Sequence, residues 1–178
     1  MTWRMSFRIS IVILLFAFAG CTSQNSSKQE KPTEGTSVEE SLLHANKQAV
    51  KAEDEQIDNF LKRYSWKMEK TGTGLRYAIY YHGNGPKAAP GKIAVFKYSV
   101  RLINGNEIYN SDKDGLKEFE IGHGGVESGL EEGILLLRVG DKAKIVIPSH
   151  LGFGLLGDQD LVPPKSTLIY DLELVALK

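Results

Sequence analysis

Between Gly129 and Pro148 the chain reads GLEEGILLLRVGDKAKIVIP, and the period of its apolar positions changes once along this stretch. Leu130, Ile134 and Leu137 recur at helical spacing, Gly140-Asp141 breaks the run, and Ala143, Ile145 and Ile147 then alternate with Lys142 and Lys144. The pattern predicts a short helix laid against a half-buried strand. Downstream, LGFGLLGDQDLVPP supplies glycines and a double proline, and TLIYDLELVALK resumes strand alternation to the C-terminus. A long loop between two strands is a usual site of function.

The preceding segments follow the same two periods. Val38, Leu42, Ala45, Ala49 and Ala52 recur every three or four residues behind a Ser37-x-x-Glu40 capping box. Ile57, Phe60, Leu61 and Tyr64 continue the stripe after the charged run Lys51 to Glu55, which fits one long helix or two short ones. The first half is mostly alanine, so this helical extension reads as a spacer docking through Ile57, Phe60 and Leu61; a partner-binding face is the alternative. Trp66 to Glu69 and Leu75 to Tyr81 alternate as strands, the second with Leu75, Tyr77, Ile79 and Tyr81 on one face. Ile93 to Leu102 turns Phe96, Tyr98, Val100 and Leu102 inward. Asn104-Gly105 closes a hairpin onto Glu107 to Ser111, a polar loop covers Asp112 to Lys117, and Phe119 to Ile121 is a short strand. The sum is five or six antiparallel strands and one short domain helix.

At the N-terminus Arg4 and Arg8 precede an apolar run from Ile9 to Ala19 that ends in Phe18-Ala19-Gly20-Cys21. This layout reads as a secretory signal of the bacterial lipoprotein kind, with an uncleaved anchor as the alternative; the run is shorter than the roughly 18 to 20 apolar residues of a membrane span. Cys21 is the sole cysteine, so no intramolecular disulfide forms and its thiol is free for acylation. Thr22 to Thr36 has no aliphatic residue and reads as a flexible tether. The expected division is therefore signal peptide 1–20, tether 21–36, helical extension 37–65 and domain 66–178.

Charge adds little: Lys plus Arg and Asp plus Glu are both 22, which gives no basic balance for nucleic acid. His44, His82, His123 and His150 are scattered, with no metal-ligand spacing and no nucleophile constellation beside them. Glu131-Glu132 opens a helix and is expected to cap it and solvate its face, since adjacent helical residues diverge. Gly122-His-Gly-Gly125 lacks the G-K-[ST] of a phosphate loop.

One ordered set of motifs remains. It comprises the Tyr98 strand, the Asn104-Gly105 turn, G-x-E-E-G at 129–133, V-G-x-x-A-K at 139–144, G-F-G at 152–154, then V-P-P and D-x-E-L. In order and spacing these residues resemble the FKBP-type peptidyl-prolyl isomerases, from about Gly91 to Lys178. In overall layout the chain is similar to the lipoprotein isomerases associated with gliding motility. The resemblance implies an α+β, FKBP-like fold, a bent antiparallel sheet wrapped around one short helix. It implies a reaction that rotates an X-Pro amide and needs no cofactor and no metal.

By the same resemblance Tyr98, Phe153 and Tyr170 serve catalysis, and Ile108, Tyr109, Phe119, Val126, Glu127, Leu130, Leu161 and Val162 bind substrate. The backbone at Val126-Glu127 would bond the substrate main chain. Tyr98 and Tyr170 hydroxyls would need partners if buried. Five positions depart from the family pattern: Ile108 for phenylalanine, Tyr109 for aspartate, Glu127 for isoleucine, Leu130 for tryptophan and Phe153 for tyrosine. The departures imply weaker macrolide binding and motivate a second reading, a non-catalytic chaperone or scaffold module. Expected partners are proline-containing polypeptides and, through lipidated Cys21, a membrane, with no nucleic acid. The expected location is the bacterial envelope, at the outer membrane facing the periplasm.

Overall fold

The computed structural model describes residues 38–178. The expected signal peptide and tether, Cys21 and the expected Ser37 cap lie outside the described residues. The elements are α1 (Val38–Arg63), β1 (Glu69–Lys70), β2 (Arg76–Tyr81), β3 (Ile93–Leu102), β4 (Glu107–Asn110), α2 (Ser111–Asp114), β5 (Lys117–Glu120), α3 (Ser128–Leu135), β6 (Lys142–Ile147) and β7 (Leu168–Leu177). A single 3-10 turn, Ser149–Leu151, follows β6. The sheet has seven strands in the order β1-β2-β6-β7-β3-β4, with β5 also on β3, and every pairing is antiparallel.

Two details correct the sequence reading of the sheet. It has one strand more than the five or six expected, and the Trp66 to Glu69 strand shrinks to the pair Glu69–Lys70. Trp66 and Met68 pack with Ile57, Leu61, Val146 and Ile169 instead of extending the ladder. The Asp112 to Lys117 loop holds the one-turn α2, capped by the Asn110 side chain, which accepts from the Asp112 amide at 2.9 Å.

The sheet bends because its ladders slip. Register shifts fall at Val95/Phe96 against β7, at Val100/Arg101 against β4 and at Ile79/Tyr81 against β6. Extra residues of this kind bend and twist a strand. The concave face holds the main core, including Phe96, Tyr98, Leu130, Ile134, Ile145, Ile147 and Tyr170. Helix α3 reaches this face closely because two glycines face β6: a Cβ on Gly129 would meet Ile147 Cγ2 at 2.5 Å, and one on Gly133 would meet Ile145 Cδ1 at 2.5 Å. The glycines of G-x-E-E-G thus serve close approach.

The opposite face is covered by α1, a single helix, which buries Ile57 and Leu61 over Val146 and Ile169. Phe60 is only half-buried, so the three expected anchors do not contribute equally. A polar contact is added to the apolar one. Glu53 accepts from the Ser149 amide at 2.7 Å, the Ser149 hydroxyl at 2.7 Å and the Thr167 hydroxyl at 2.6 Å. Arg76, 1% exposed, donates to Asp54 Oδ1 at 2.7 Å and to Asp58 Oδ1 at 2.8 Å. Val38, Leu42 and Leu43 near the start of the helix remain exposed. No helix among the described residues is long and apolar enough to cross a membrane.

Candidate functional site

Strand β3 changes neighbours halfway along, and this break positions the first site residue. Its first half, Ile93 to Phe96, pairs with β5, while Ser99 to Arg101 pair with β4. Between the two partners the Tyr98 amide is left to a side chain, and it donates to Ser111 Oγ at 3.1 Å. Tyr98 is turned into the concave face, with its ring 5.7 Å from that of Phe96. Phe96 in turn meets Phe119 edge-on at 6.0 Å. Opposite, Tyr170 of β7 pairs with Val100 across the ladder.

The predicted site residues divide into a buried floor and a more open rim. Tyr98, Phe119, Glu127, Leu130, Val162 and Tyr170 are buried, whereas Ile108, Tyr109, Val126 and Phe153 are half-buried and pack against the same core. Leu161 is 46% exposed, so of the eleven it is the least enclosed. Two clefts open elsewhere. One of about 350 Å³ is lined by outward positions such as Trp66, Tyr80, Lys97 and Asp171, and touches the predicted set only at Tyr98. Another of about 450 Å³ separates α1 from Ser149, His150 and Leu155. The first mixes charged and aromatic side chains, the second is largely apolar through Ala49, Val50 and Leu155, and neither takes in the remaining predicted walls.

Two phenols in the floor and rim are tied to acids. The Tyr170 hydroxyl donates to Glu127 Oε1 at 2.7 Å, so Glu127 contributes its side chain as well as its backbone. Burial, then the neighbouring Glu127, pushes the Tyr170 phenol well above its ordinary value. The Tyr109 hydroxyl donates to Asp158 Oδ2, a residue that the sequence reading did not single out. Asp158 also accepts from the amides of Asp160 at 2.9 Å and Val162 at 2.7 Å, closing the loop on itself. Gly157 makes the tight neck possible: its φ is +69°, and a Cβ would meet the Val162 carbonyl at 2.0 Å. A D-x-D spacing just before V-P-P is the only signal of this turn in the sequence.

The bond from Asp158, then burial, pushes the Tyr109 phenol up to about 12. A raised phenol contributes stability that is complete below its unfolded value near 10 and is lost as pH rises through the folded value. Tyr109→Phe should therefore cost about 1 kcal/mol at pH 7. By urea denaturation that gap should shrink between pH 10 and about 12. A gap undiminished at the alkaline end contradicts the assignment.

Glu131 and Glu132 do not cap α3 as expected. Glu131 Oε1 accepts the Gly122 amide, and Glu132 accepts the Thr73 hydroxyl at 2.8 and 3.0 Å, so each acid pins a different loop to the helix. Glu127 stands at the N-cap position before Ser128 and makes no side-chain cap bond. Among the described residues no group of three His, Cys, Asp or Glu is placed to hold a metal ion.

Comparison with known proteins bears on this arrangement. The family model described as FKBP-type peptidyl-prolyl cis-trans isomerase matches residues 85–175. A probable FKBP-type isomerase, FkpA, of Neisseria meningitidis is 32% identical over 139 residues, covering 76% of this chain and 50% of that protein. FK506-binding protein 1 of Debaryomyces hansenii is 40% identical over 88 residues, covering 48% of this chain and 78% of that protein. The crystal structure of FkpA from Escherichia coli superposes with a TM-score of 0.63 at 28% identity, covering 79% of this chain and 66% of that one. The chain spans 20% to 50% of the length of the first curated relatives it matches. With the family model spanning over half of the sequence, and the fold superposing on that of a solved relative, the chain belongs to the FKBP-type peptidyl-prolyl cis-trans isomerase family.

Proposed function

We propose that this protein is a peptidyl-prolyl cis-trans isomerase that assists the folding of exported envelope proteins. The observation that carries the reading is the buried apolar floor of Tyr98, Phe119, Leu130, Val162 and Tyr170 under a half-buried rim of Ile108, Tyr109, Val126 and Phe153. Rotation about an X-Pro bond takes tens to hundreds of seconds unaided, because the twisted amide loses its resonance. Water favours the planar, charge-separated form. A proline seated against these rings leaves its preceding carbonyl in apolar surroundings, which favours the twisted form over the planar one. Each 1.4 kcal/mol of that difference is about tenfold in rate. No acid, base or nucleophile is required.

In this reading residues 66–178 form the isomerase domain and 37–65 the extension that braces it. Residues 1–20 direct export, and 21–36 tether the domain to a lipid on Cys21 at the outer membrane, facing the periplasm. The kinship with relatives named FkpA supports an envelope setting. Incorporation of labelled palmitate into wild-type protein but not into Cys21→Ala tests the anchor.

The activity is tested by a protease-coupled assay on several X-Pro peptides. Wild-type protein should accelerate exchange, and Phe153→Ala, which removes one half-buried ring, should lower kcat/KM about ten- to a hundredfold with little change in unfolding midpoint. A second reading, a binding module without catalysis, is favoured by the Tyr170–Glu127 and Tyr109–Asp158 bonds, which hold the walls to one another. No acceleration on any peptide by the wild type would establish that reading instead.

A further inference from the structure

The segment between the 3-10 turn and β7 carries Phe153, Leu161 and Val162, three of the predicted site residues. The Lys165 amide donates to the Gly154 carbonyl at 2.8 Å and closes the base of a loop formed by residues 155–164. Within the loop the Asp158 amide donates to the Val162 carbonyl at 3.2 Å, and Asp158 Oδ1 accepts the Asp160 and Val162 amides. Val162 is the loop's one buried residue, whereas Leu155, Leu156 and Leu161 are exposed. Among the described residues, Tyr109 is the only one outside the loop that shares a hydrogen bond or an ion pair with it. Its hydroxyl donates to Asp158 Oδ2, and the Leu161 amide acts on the same hydroxyl.

Tyr109 is a firm post for this contact. It stands on β4, packs half-buried against the main core, and has the Lys117 ammonium, which also lies 5.6 Å from the Tyr98 ring, 5.9 Å from its own centroid. The two oxygens of Asp158 therefore have separate tasks: Oδ1 shapes the turn, and Oδ2 ties the turn to β4. A hydrogen bond to an ionised acceptor is about twice as strong as one between neutral groups, and segments held by few contacts open locally at small cost. This one bond is thus placed to decide how often the loop lies against β4. We propose that Asp158 is a positioning residue for the isomerase reaction, which acts through the Tyr109 hydroxyl to keep residues 155–164, with Leu161 and Val162, closed on β4. The inference rests on the isomerase reading and adds to it the device that keeps the site assembled. Without the bond the closed form is only part of the population, and the apparent affinity for substrate falls by that fraction.

The test measures kcat and KM for the peptide Ala-Leu-Pro-Phe with the full chain and its Tyr109→Phe, Asp158→Asn and double variants. Phenylalanine keeps the ring and removes the hydroxyl; asparagine keeps an oxygen for the two loop amides and removes the anionic acceptor. Each single variant should raise KM about three- to fivefold with kcat within about twofold of wild type. The double variant should lie no further from wild type than Tyr109→Phe does, because both changes cut one bond. In the free proteins, relaxation dispersion at the Leu161 and Val162 amides should be stronger in all three variants than in wild type. Increases in KM that multiply in the double variant, a fall in kcat at unchanged KM, or equal dispersion in all four proteins overturns the role of Asp158 and leaves the isomerase reading standing. If wild type does not accelerate exchange of the peptide, both fail together.

Discussion

Alanine at Arg76 is expected to destabilise the protein by about 3 kcal/mol and to loosen α1 from the sheet. The guanidinium is 1% exposed on the convex face, where it donates to Asp54, Asp58 and, at 2.6 Å, the Gly74 carbonyl. Lys70 completes the cluster with a 2.7 Å bond to Asp54. Removal of Arg76 deletes a large buried side chain and leaves two carboxylates facing each other. The side chains of Asp54 and Asp58 are 33% and 46% exposed and can turn to water, which keeps the cost below that of a fully enclosed pair. Arg76 Nε has no partner, so part of the desolvation cost of the guanidinium is not recovered in the native state. Arg76→Met, which retains much of the apolar volume, should therefore cost less, about 1 to 2 kcal/mol. Urea denaturation gives the totals, and amide exchange in α1 reports the loosening. A loss under about 0.5 kcal/mol for Arg76→Ala would mean that the apolar contact of Ile57 and Leu61 alone holds the helix.

The second large effect is expected at Gly129. A Cβ there would meet Ile147 Cγ2 at 2.5 Å, Leu151 Cβ at 3.1 Å and the Leu151 carbonyl at 3.2 Å. A methyl on the branched carbon of a buried strand residue cannot swing aside, and the carbonyl belongs to the backbone. Gly129→Val forces α3 away from β6 and should cost about 3 kcal/mol, at the upper end of overpacking losses. Gly133→Ala is the contrasting case. Its added Cβ meets Ile145 Cδ1, the far end of a side chain that can change rotamer, and alanine gains about 1 kcal/mol of helix propensity over glycine. Its net effect should lie within about 1 kcal/mol of zero. Thermal and urea unfolding of the two variants decides the point, and equal losses at both glycines would contradict this packing account.

Regular periodicity made much of the fold legible in the sequence. Ala143, Ile145 and Ile147 alternate inward on β6, and Phe96, Tyr98 and Val100 do so on β3, because one face of each strand lies in the main core while the other carries Lys142, Lys144, Lys97 and Arg101, with Val95 and Val146 as buried exceptions. Leu130, Ile134 and Leu137 gave α3 with its boundary off by two residues: the helix ends at Leu135, and Leu137 remains fully buried beyond it. The polar docking of α1 was not legible. Glu53, Asp54 and Asp58 look like a solvated charge run until Arg76, Ser149 and Thr167 are brought beneath them from 18 to 114 residues away.

The same limit applies at the site. Glu127 was read as a backbone contact because its side-chain partner, Tyr170, lies 43 residues further on. Tyr109 and Asp158, 49 residues apart, meet only because the Gly157 neck folds the loop back. Lys117 was read as the end of a polar loop, and its place over two rings depends on β5 and β4 sharing one edge of β3. Local pattern carries the apolar walls; long-range pairing carries the polar groups between them.

The measurement that bears most directly on the account is exchange spectroscopy of a Leu-Pro peptide with and without the wild-type chain. The cis and trans resonances should exchange at a rate that rises in proportion to protein concentration, and Phe153→Ala at equal concentration should abolish most of that rise. Exchange that stays at the uncatalysed rate at every concentration, with the protein folded in the same sample, would contradict it.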